Sequence, residues 1–417
     1  MTDPAAPSPV ELRPITDEEW PAFTRAMFDT FGEEPPAAYL DGVPGHAELD
    51  RSLAMWDGDR VVATAGLYSR ELTVPGRVVP CAGVTWVSVA PSHRRRGVLT
   101  ALMRRQLEEL HEQQREPVAA LWASESAIYG RFGYAPATWR GGLSGEVARL
   151  RLRPGVDLGT GRVDRVPVED YRGAVVGLHD RLRRTVPGDL ARDDRWWDRQ
   201  LRDDPDQRRG ASARRHLLHT EADGAVTGYA AYRVRAHWTD DGQPDGTVVV
   251  EELRSASPAA HAALWRFLLS LDLVRTMRAP GLSPDEPLRH LLAEPRALRS
   301  QPVDALWVRL VDVGRALAAR RYPAVVDLVI EVRDTSCPWN DGRWWLRGHP
   351  AGAFCARTDA DPDLVVDVEA LAAAYLGGVS LATLQAAGRV TEVSPGAVTQ
   401  AGTAFRWPVT PWCPDEF

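Results

Sequence analysis

The spacing of apolar residues in the first third of the chain predicts a helix, two strands and a second helix. Apolar residues recur every three or four positions over residues 17–32, as in a helix that buries one face. Residues 60–74 and 78–90 are rich in Val, Thr and aromatic side chains, which favours strands. Helical spacing returns over residues 98–114, at Leu99, Leu102, Met103, Leu107 and Leu110.

A similar order of predicted elements, with less regular spacing, recurs over residues 216–274. Residues 216–238 predict strands around an Asp-Gly turn, residues 247–256 predict a Val-rich strand, and residues 258–274 have helical spacing. The segment between strand and helix reads RSASPAAHAA, where the first copy has APSHRRRGVL. We therefore expect a duplicated fold whose second copy lacks the cluster of arginines.

The pattern changes beyond about residue 300. Residues 304–322 predict a strand followed by a helix, and several short strands and a further helix come after them. The chain ends in RWPVTPWCPDEF, whose three prolines disfavour regular structure and favour an exposed, extended tail that reaches another domain. We predict three domains, at residues 1–150, 151–300 and 301–417.

The length of the chain bears on the number of domains, and its net charge bears on the kind of partner. A chain of 417 residues is too long for one ordinary core, so several domains are expected. The formal charge of -7 argues against a nucleic-acid partner and is compatible with a cationic substrate.

The cysteines and the terminal segments bear on the location of the protein. The four cysteines have no CxxC pair and no close His partner, so we expect neither a disulfide framework nor a metal site. No stretch approaches the ~18 apolar residues of a membrane span, and no leader is evident. We therefore expect a cytoplasmic protein without a membrane span.

Basic residues and a glycine lie between the predicted strand 78–90 and helix 98–114. A loop at a helix N-terminus presents free backbone N–H groups, and the helix dipole adds partial positive charge there. Arg95 and Arg96 add full charges, and Gly97 permits close approach of the backbone. The pattern indicates a phosphate-binding loop, although a basic tetrapeptide alone is more often a solvated turn.

This loop resembles a known signature. Residues 94–99, RRRGVL, are similar to the Q/R-x-x-G-x-G/A motif of the GNAT acetyltransferase superfamily, with Leu99 in place of the final small residue. A GNAT-like tyrosine follows the predicted strand 117–124, in SESAIYGRFGY, which supplies Tyr129, Gly133 and Tyr134. VSVAPSHRRRGVLTALM, ASESAIYGRFGYAPAT, DALWVRLVDVGRALAARRY and a terminal Phe together resemble the enhanced intracellular survival (Eis) family of GNAT proteins.

The resemblance implies a fold and an activity. The implied fold class is α/β (α+β): tandem GNAT folds, each a mixed sheet with flanking helices, and a C-terminal domain similar to sterol carrier protein. The implied activity is acetyl-CoA-dependent N-acetylation of primary amines on polycationic small molecules such as aminoglycosides, by a homohexamer. Two alternatives stay open: a protein-lysine acetyltransferase, and a non-catalytic sensor of acetyl-CoA or lipid.

The resemblance also implies site residues. A protonated amine has no lone pair, so acetyl transfer needs a base near the nitrogen and an acid for the departing thiolate. Tyr129 is the implied general acid, and the α-carboxylate of Phe417 is the implied general base. The implied acetyl-CoA-binding residues are Val87, Ser88 and Val89 along the pantetheine arm, Arg95, Arg96, Gly97, Val98, Leu99 and Thr100 around the pyrophosphate, and Ser124 and Glu125 near the thioester.

Three acidic residues complete the expected site. Asp29, Glu33 and Glu416 carry the negative charge that attracts a polycationic substrate. They are expected to line the substrate pocket.

Overall fold

The helices and strands of the N-terminal third form in the predicted order. A computed structural model describes residues 10–40 and 42–417. The elements are β1 Glu11–Pro14, α1 Trp20–Phe31, α2 Ala37–Leu40, β2 Ser52–Asp57, β3 Arg60–Val74, β4 Arg77–Val89, α3 Val98–Gln113, β5 Val118–Trp122, α4 Ser126–Tyr129, β6 Ala135–Pro136 and β7 Trp139–Glu146. The bounds of β3, β4 and α3 lie within about one residue of the prediction, because strong periodicity defines long elements well.

The predicted repeat forms the middle of the chain. Its elements are β8 Arg162–Val166, α5 Val168–Arg183, α6 Asp194–Leu201, β9 Arg215–Thr220, β10 Val226–Arg235, β11 Gly246–Ser255, α7 Pro258–Leu268, β12 Val274–Leu282, α8 Leu288–Leu291 and β13 Arg299–Asp304. The helix predicted over residues 258–274 ends early, at Leu268. Leu273 takes a left-handed backbone conformation with φ 62°, and the chain turns there into β12.

The last part of the chain alternates short strands and helices, as predicted. Its elements are β14 Leu306–Leu310, α9 Val313–Ala319, β15 Val326–Arg333, β16 Gly342–His349, β17 Gly352–Arg357, β18 Leu364–Asp367, α10 Val368–Ala374, α11 Leu381–Ala386, β19 Val390–Glu392 and α12 Ala397–Phe405. Among residues 10–40 and 42–417, no helix is both long and apolar enough to cross a membrane.

Three sheets organise these elements, and strands cross the predicted domain boundaries. The first sheet has the order β1-β2-β3-β4-β5-β14-β6, so β14 pairs with β5 although it lies beyond residue 300. The second has the order β13-β7-β12-β11-β10-β9-β8, so it includes β7 from before residue 150, and the third has the order β17-β16-β15-β18-β19. The boundaries at 150 and 300 therefore stay predictions.

The first sheet is covered on both faces. On one face, Ala82 and Val84 of β4 pack against Met103 and Leu107 of α3. On the other face, Trp20 and Phe23 of α1 pack against Trp86 of β4, with ring centroids 5.3 and 6.0 Å apart. The ring of Phe417, at the end of the chain, also packs against this second face, beside Tyr68 and Gly83.

The second domain docks along β3. The backbone N–H of Thr73 donates to the carbonyl oxygen of Asp189 (2.8 Å), and the N–H of Ala191 donates to that of Glu71 (3.0 Å). These strand-like bonds bring the segment before α6 beside the first sheet. Trp196 of α6 therefore packs edge-on against Tyr68 of β3, with ring centroids 5.0 Å apart.

The last twelve residues, 406–417, form an irregular segment that we call the tail. The backbone N–H of Trp412 donates to the carbonyl oxygen of Pro187 and its indole Nε1 to that of Gly281, both at 2.9 Å. Trp412, Cys413 and Asp415 are buried. The predicted reach to another domain is confirmed, whereas the predicted exposure is wrong because the tail finds apolar and hydrogen-bonding partners in the second domain.

Asp415 anchors the tail. The Arg192 guanidinium binds its carboxylate side-on, with Nη2 2.6 Å from Oδ1 and Nε 3.1 Å from Oδ2, and both residues are more than nine-tenths buried. Burial alone would raise the pKa of Asp415, but the charge and hydrogen bonds of Arg192 override it and lower the pKa to about 2. Trp122 of β5 donates to the Asp415 carbonyl oxygen at 2.8 Å, so the anchor joins tail, second domain and first sheet.

Asp415→Asn removes one partner of this buried pair and is expected to lower the free energy of unfolding by about 3 kcal/mol. This loss is at the lower end of the range for buried ion pairs, because the Glu252 carboxylate, 3.0 Å from Arg192, still balances its charge in the variant. Because folding depresses the pKa of Asp415 from 3.8 to about 2, the stabilisation is present above pH 3.8 and lost as the pH falls through 2. Urea denaturation measures both effects.

Glu416→Gln is the matched control. Glu416 forms an exposed pair with Arg140, and such pairs contribute less than about 1 kcal/mol. Equal losses for the two variants would contradict the anchoring role of Asp415.

Candidate active site

A cleft opens where β4 separates from β5. The two strands pair in parallel from Cys81 to Val84 and no further, and Trp86 then forms a bulge with φ 54°. The side of residues 87–89 that faces β5 is left without a strand partner within the described chain. Backbone groups at such an opening are free to bind an extended ligand.

The loop after β4 presents the N-terminus of α3 to this cleft. Gly97 precedes the first helical residue with φ 79°, and no side chain of the described residues caps the helix. In the second copy the hydroxyl of Ser257 accepts from the N–H of Ala260 at 3.1 Å and caps α7. The N-terminus of α3 therefore keeps its free N–H donors for an anion. At the N-terminus of α7, one such donor is already bound by Ser257.

The cavity between these elements, which we call the β4 cleft, has a volume of about 470 Å³. All of the predicted acetyl-CoA-binding residues except Arg96 line it, namely Val87, Ser88, Val89, Arg95, Gly97, Val98, Leu99, Thr100, Ser124 and Glu125. The structure thus brings together residues of the strand, the loop, helix α3 and the segment after β5.

Four lining residues were missed by the sequence analysis: Thr30, Phe31, Ile128 and Arg131. Phe31 ends α1 and is 51% exposed, and no sequence pattern shows which element faces the end of α1. Arg131 had a usable signal, because it is a cation two residues after the motif tyrosine.

The β4 cleft is electropositive. Arg94, Arg95 and Arg131 line it, and none has a carboxylate within 4.0 Å among residues 10–40 and 42–417. Guanidinium groups without a carboxylate partner suit phosphate oxygens. The part of the chain that the structure describes holds no group of three or more metal-ligating side chains. The cleft thus fits a coenzyme A thioester, with cations beside an uncapped helix.

Tyr129 closes one side of the β4 cleft. It ends the short helix α4, is 6% exposed and packs edge-on against Tyr134, with ring centroids 6.2 Å apart. Burial, with a smaller contribution from the charge of Glu125, raises the pKa of Tyr129 to about 12. The hydroxyl is therefore protonated at neutral pH and is able to donate a proton.

Phe417 lies on the first sheet, outside the described lining of the β4 cleft. Its ring packs edge-on to Tyr68, with centroids 6.3 Å apart, and covers Gly83 of β4. A methyl group at position 83 would lie 3.0 Å from Cε2 of Phe417, so glycine makes room for the ring. Its α-carboxylate has no ion-pair partner among the described side chains. The chain end thus reaches the strand whose bulge borders the cleft.

The three acidic residues predicted for substrate binding differ in their surroundings. Asp29 and Glu33 are exposed and flank the lining residues Thr30 and Phe31. Glu416 pairs with Arg140, with Oε1 and Nη1 2.5 Å apart, which offsets its charge. Their role in substrate binding stays a prediction.

The fold and the cleft define an acyltransferase of the GNAT class, and comparison with known families agrees. Residues 11–137 and residues 188–310 each match a family described as acetyltransferase (GNAT) domain. Residues 313–414 match the sterol carrier protein domain. The predicted fold class is confirmed.

Full-length relatives identify the family. An uncharacterized N-acetyltransferase from Streptomyces avermitilis is 45% identical over 412 residues, which are 98% of this chain and 99% of the relative. The N-acetyltransferase Eis of Mycobacterium tuberculosis is 35% identical over 411 residues, 95% of this chain and 96% of the relative. The crystal structure of Eis1 from Mycobacterium abscessus, 33% identical, aligns with a TM-score of 0.82 over 98% of this chain and 100% of that one. The chain belongs to the Eis family of GNAT N-acetyltransferases.

Arg95 and Arg96 are expected to contribute unequally to coenzyme A binding. Arg95 lines the β4 cleft and Arg96 is not among its lining residues. Arg95→Gln should raise the Kd for coenzyme A about tenfold, the loss of one charge-assisted contact, whereas Arg96→Gln should change it less than about threefold. Isothermal titration calorimetry measures both dissociation constants, and equal effects would contradict the unequal contributions expected from the lining of the β4 cleft.

Proposed function

We propose that this N-acetyltransferase transfers the acetyl group of acetyl-CoA to a primary amine of a small molecule, with Tyr129 as general acid and the Phe417 carboxylate as general base. The observation that carries the proposal is the β4 cleft, where uncompensated arginines and an uncapped helix lie beside a protonated tyrosine. The resemblance to the Eis family assigns the same two residues these roles.

The β4 cleft has groups suited to each part of the co-substrate. Acetyl-CoA, when bound, supplies the thioester that donates the acetyl group. Arg95 and the free N–H groups at Gly97 and Val98 neutralise phosphate charge, because cations and a helix N-terminus both attract anions. The free backbone of Val87 to Val89 holds the arm that joins phosphate to thioester, and Ser124 and Glu125 lie on the other side of the cleft.

Tyr129 serves as the proton donor. An acid for a departing thiolate must hold its proton at the working pH, and the raised pKa of Tyr129 meets that condition. Its burial also fixes the hydroxyl, since the ring is packed against Tyr134. The hydroxyl returns to the protonated state after each cycle by exchange with solvent.

The Phe417 carboxylate accepts the proton of the attacking amine. Three features of the tail position it: the Arg192–Asp415 pair, the Trp122 hydrogen bond, and the ring of Phe417 against Gly83. A carboxylate without an ion-pair partner keeps its lone pairs available for that proton. The base is thus supplied by the chain end and held by the second domain.

Aminoglycosides are the acceptors that the family resemblance implies, and the exposed Asp29 and Glu33 are the acidic residues left to attract them. The direct experiment is thiol release from acetyl-CoA with aminoglycosides, polyamines and lysine peptides, using protein with its native C-terminus. Release with a small amine supports the proposal. Release with lysine peptides alone would identify a protein acetyltransferase, and binding of acetyl-CoA without release would identify a sensor.

We infer the assembly and location from the family as well. The protein is expected to form a homo-oligomer, a hexamer of 45.9 kDa protomers, in the cytoplasm. Light scattering of the purified protein measures the mass, and a monomer would contradict the inference.

Tyr129→Phe should lower kcat about a hundredfold or more, the usual contribution of a positioned general acid. Because the pKa of Tyr129 is raised to about 12, its ionisation should cause no loss of wild-type kcat between pH 7 and pH 10. Steady-state kinetics across this range measure both effects.

Tyr134→Phe is the matched control for Tyr129→Phe. Tyr134 is fully buried, and its hydroxyl has no hydrogen-bond partner in the described part of the chain, so its loss should leave kcat nearly unchanged. Full turnover by Tyr129→Phe would remove Tyr129 from the mechanism.

Addition of one glycine after Phe417 moves the terminal carboxylate by about 3.8 Å and should lower kcat about a hundredfold. The affinity for coenzyme A should stay unchanged, because the tail lies outside the β4 cleft. The same glycine placed before Met1 is the control. Undiminished turnover by the extended protein would rule out the α-carboxylate as the base.

A further inference from the structure

A cavity outside the proposed site of acetyl transfer lies in the second domain. It has a volume of about 510 Å³ and opens between residues 147–158, which follow β7, and the C-terminal end of α7. We call it the α7 cavity. The β4 cleft lies instead at the N-terminus of α3, the helix that corresponds to α7 in the first copy. The α7 cavity is therefore not the counterpart of the β4 cleft.

Much of the lining of the α7 cavity is apolar. Leu150 is buried in the core of the second domain, and Leu152 and Leu269 are half-buried against that core. Apolar surface that stays in contact with water is unfavourable, and an apolar ligand laid on it would release that water. The larger apolar side chains of the lining are Val147, Leu150, Leu152, Val156, Leu158 and Leu269.

One wall of the cavity is irregular. Residues 153–161 form neither helix nor strand, and within the described chain the backbone groups of Val156 and Leu158 make no hydrogen bond to other backbone groups. Both side chains are half-buried and line the cavity. A wall held by side-chain packing rather than by backbone hydrogen bonds adjusts to a ligand at low cost.

Three arginines also line the cavity: Arg151, Arg153 and Arg266. All three are exposed, and among residues 10–40 and 42–417 none has a carboxylate within 4.0 Å. Nε of Arg151 donates to the carbonyl oxygen of Ala148 at 3.0 Å, and Nε of Arg153 to that of His290 at 3.3 Å. These bonds leave the Nη groups of both guanidiniums available for an anion.

Nearby negative groups only partly offset these cations. Glu146, Asp157 and Asp272 lie within two residues of lining residues, but all three are exposed and none lines the cavity. Glu294 pairs with Arg149, which also lies outside the lining. The carbonyl groups at the end of α7 add about half an elementary negative charge, against three full positive charges. The lining therefore favours an anion.

We propose that the α7 cavity binds an amphiphilic anion, a single alkyl chain with a carboxylate or phosphate head group. The chain lies on the apolar lining, and the guanidinium groups of Arg151, Arg153 and Arg266 bind the oxygens of the head group. An inorganic anion would leave the apolar lining wet, and a neutral lipid would leave the arginines unpaired. The volume of the cavity is within the usual range for small-molecule sites. This inference adds a second binding site to the acetyltransferase and does not rest on the proposed acetyl transfer.

Isothermal titration calorimetry with octanoate tests the site. Saturating coenzyme A is present, so that the β4 cleft is occupied. Over the series butanoate, hexanoate and octanoate, we expect the Kd to fall about threefold for each added methylene, because each buries more apolar surface. Octanoate should bind at least about tenfold more tightly than octanol or octyltrimethylammonium, as expected for one charge-assisted contact. Octyl phosphate, compared with octanoate, distinguishes the two head groups.

Variants separate the head-group contacts from the chain contacts. The readouts are ratios of Kd values, which general damage to the fold does not move. Arg151→Gln/Arg266→Gln should lower the preference for octanoate over octanol about tenfold and leave the chain-length dependence unchanged. Leu158→Ser should weaken the chain-length dependence and leave the head-group preference unchanged. Arg105→Gln, which removes an exposed pair with Glu109 on α3, is the control and should change neither ratio.

The outcomes separate this site from others in the chain. A preference for an anionic amphiphile that the double arginine variant abolishes supports the proposal. No binding of octanoate or octyl phosphate at about 10 mM would overturn it, as would tighter binding of octanol or of the cation. A preference unchanged in the double arginine variant would place the ligand elsewhere, for example in the third domain, and would also overturn it. Failure of the proposed acetyl transfer would instead be seen in the thiol-release assay.

Discussion

The buried pair between Arg192 and Asp415 is the interaction on which the assembly of the site depends. Its partners are separated by 223 residues, so it closes a loop that contains most of the second domain and all of the third. Two ions removed from water are stable together only when well paired, and removal of one leaves the other uncompensated. The pair therefore fixes the tail in one position, where Trp122 of the first sheet and Arg199 of the second domain bind the adjacent carbonyl groups. The proposed catalytic carboxylate of Phe417 follows two residues later.

The two copies of the GNAT fold contribute different surfaces to the proposed site. The first copy keeps an uncapped helix behind a basic loop, and so keeps free N–H groups that suit an anion. In the second copy Ser257 caps the equivalent helix, and the arginines of the loop are absent. The second copy instead binds the tail, through hydrogen bonds of Pro187, Arg192 and Gly281 with tail residues. The proposed site thus divides between a co-substrate cleft in one domain and a chain end held by another.

Local patterns in the sequence predicted the parts of the structure that depend on local contacts. The periodicity of β3, β4 and α3 defined those elements, and the loop motif identified most of the β4 cleft because its residues are close in sequence. Long-range pairings gave no such signal. The insertion of β14 beside β5, the pairing of Arg140 with Glu416, and the burial of the tail each depend on a partner more than 180 residues away. The packing of Arg70 against Trp196 and Phe417 was hidden for the same reason, since both rings come from distant parts of the chain.

The chain end is proposed to supply the base for acetyl transfer beside a cleft in another domain. A crystal structure of the protein with coenzyme A and an acceptor amine tests it most directly. We expect a carboxylate oxygen of Phe417 to lie about 2.6 to 3.2 Å from the acceptor nitrogen, or to reach it through one water. We also expect the Tyr129 hydroxyl to lie beside the sulfur of coenzyme A. A tail displaced from the first sheet, or a carboxylate directed away from the acceptor, would rule out Phe417 as the base.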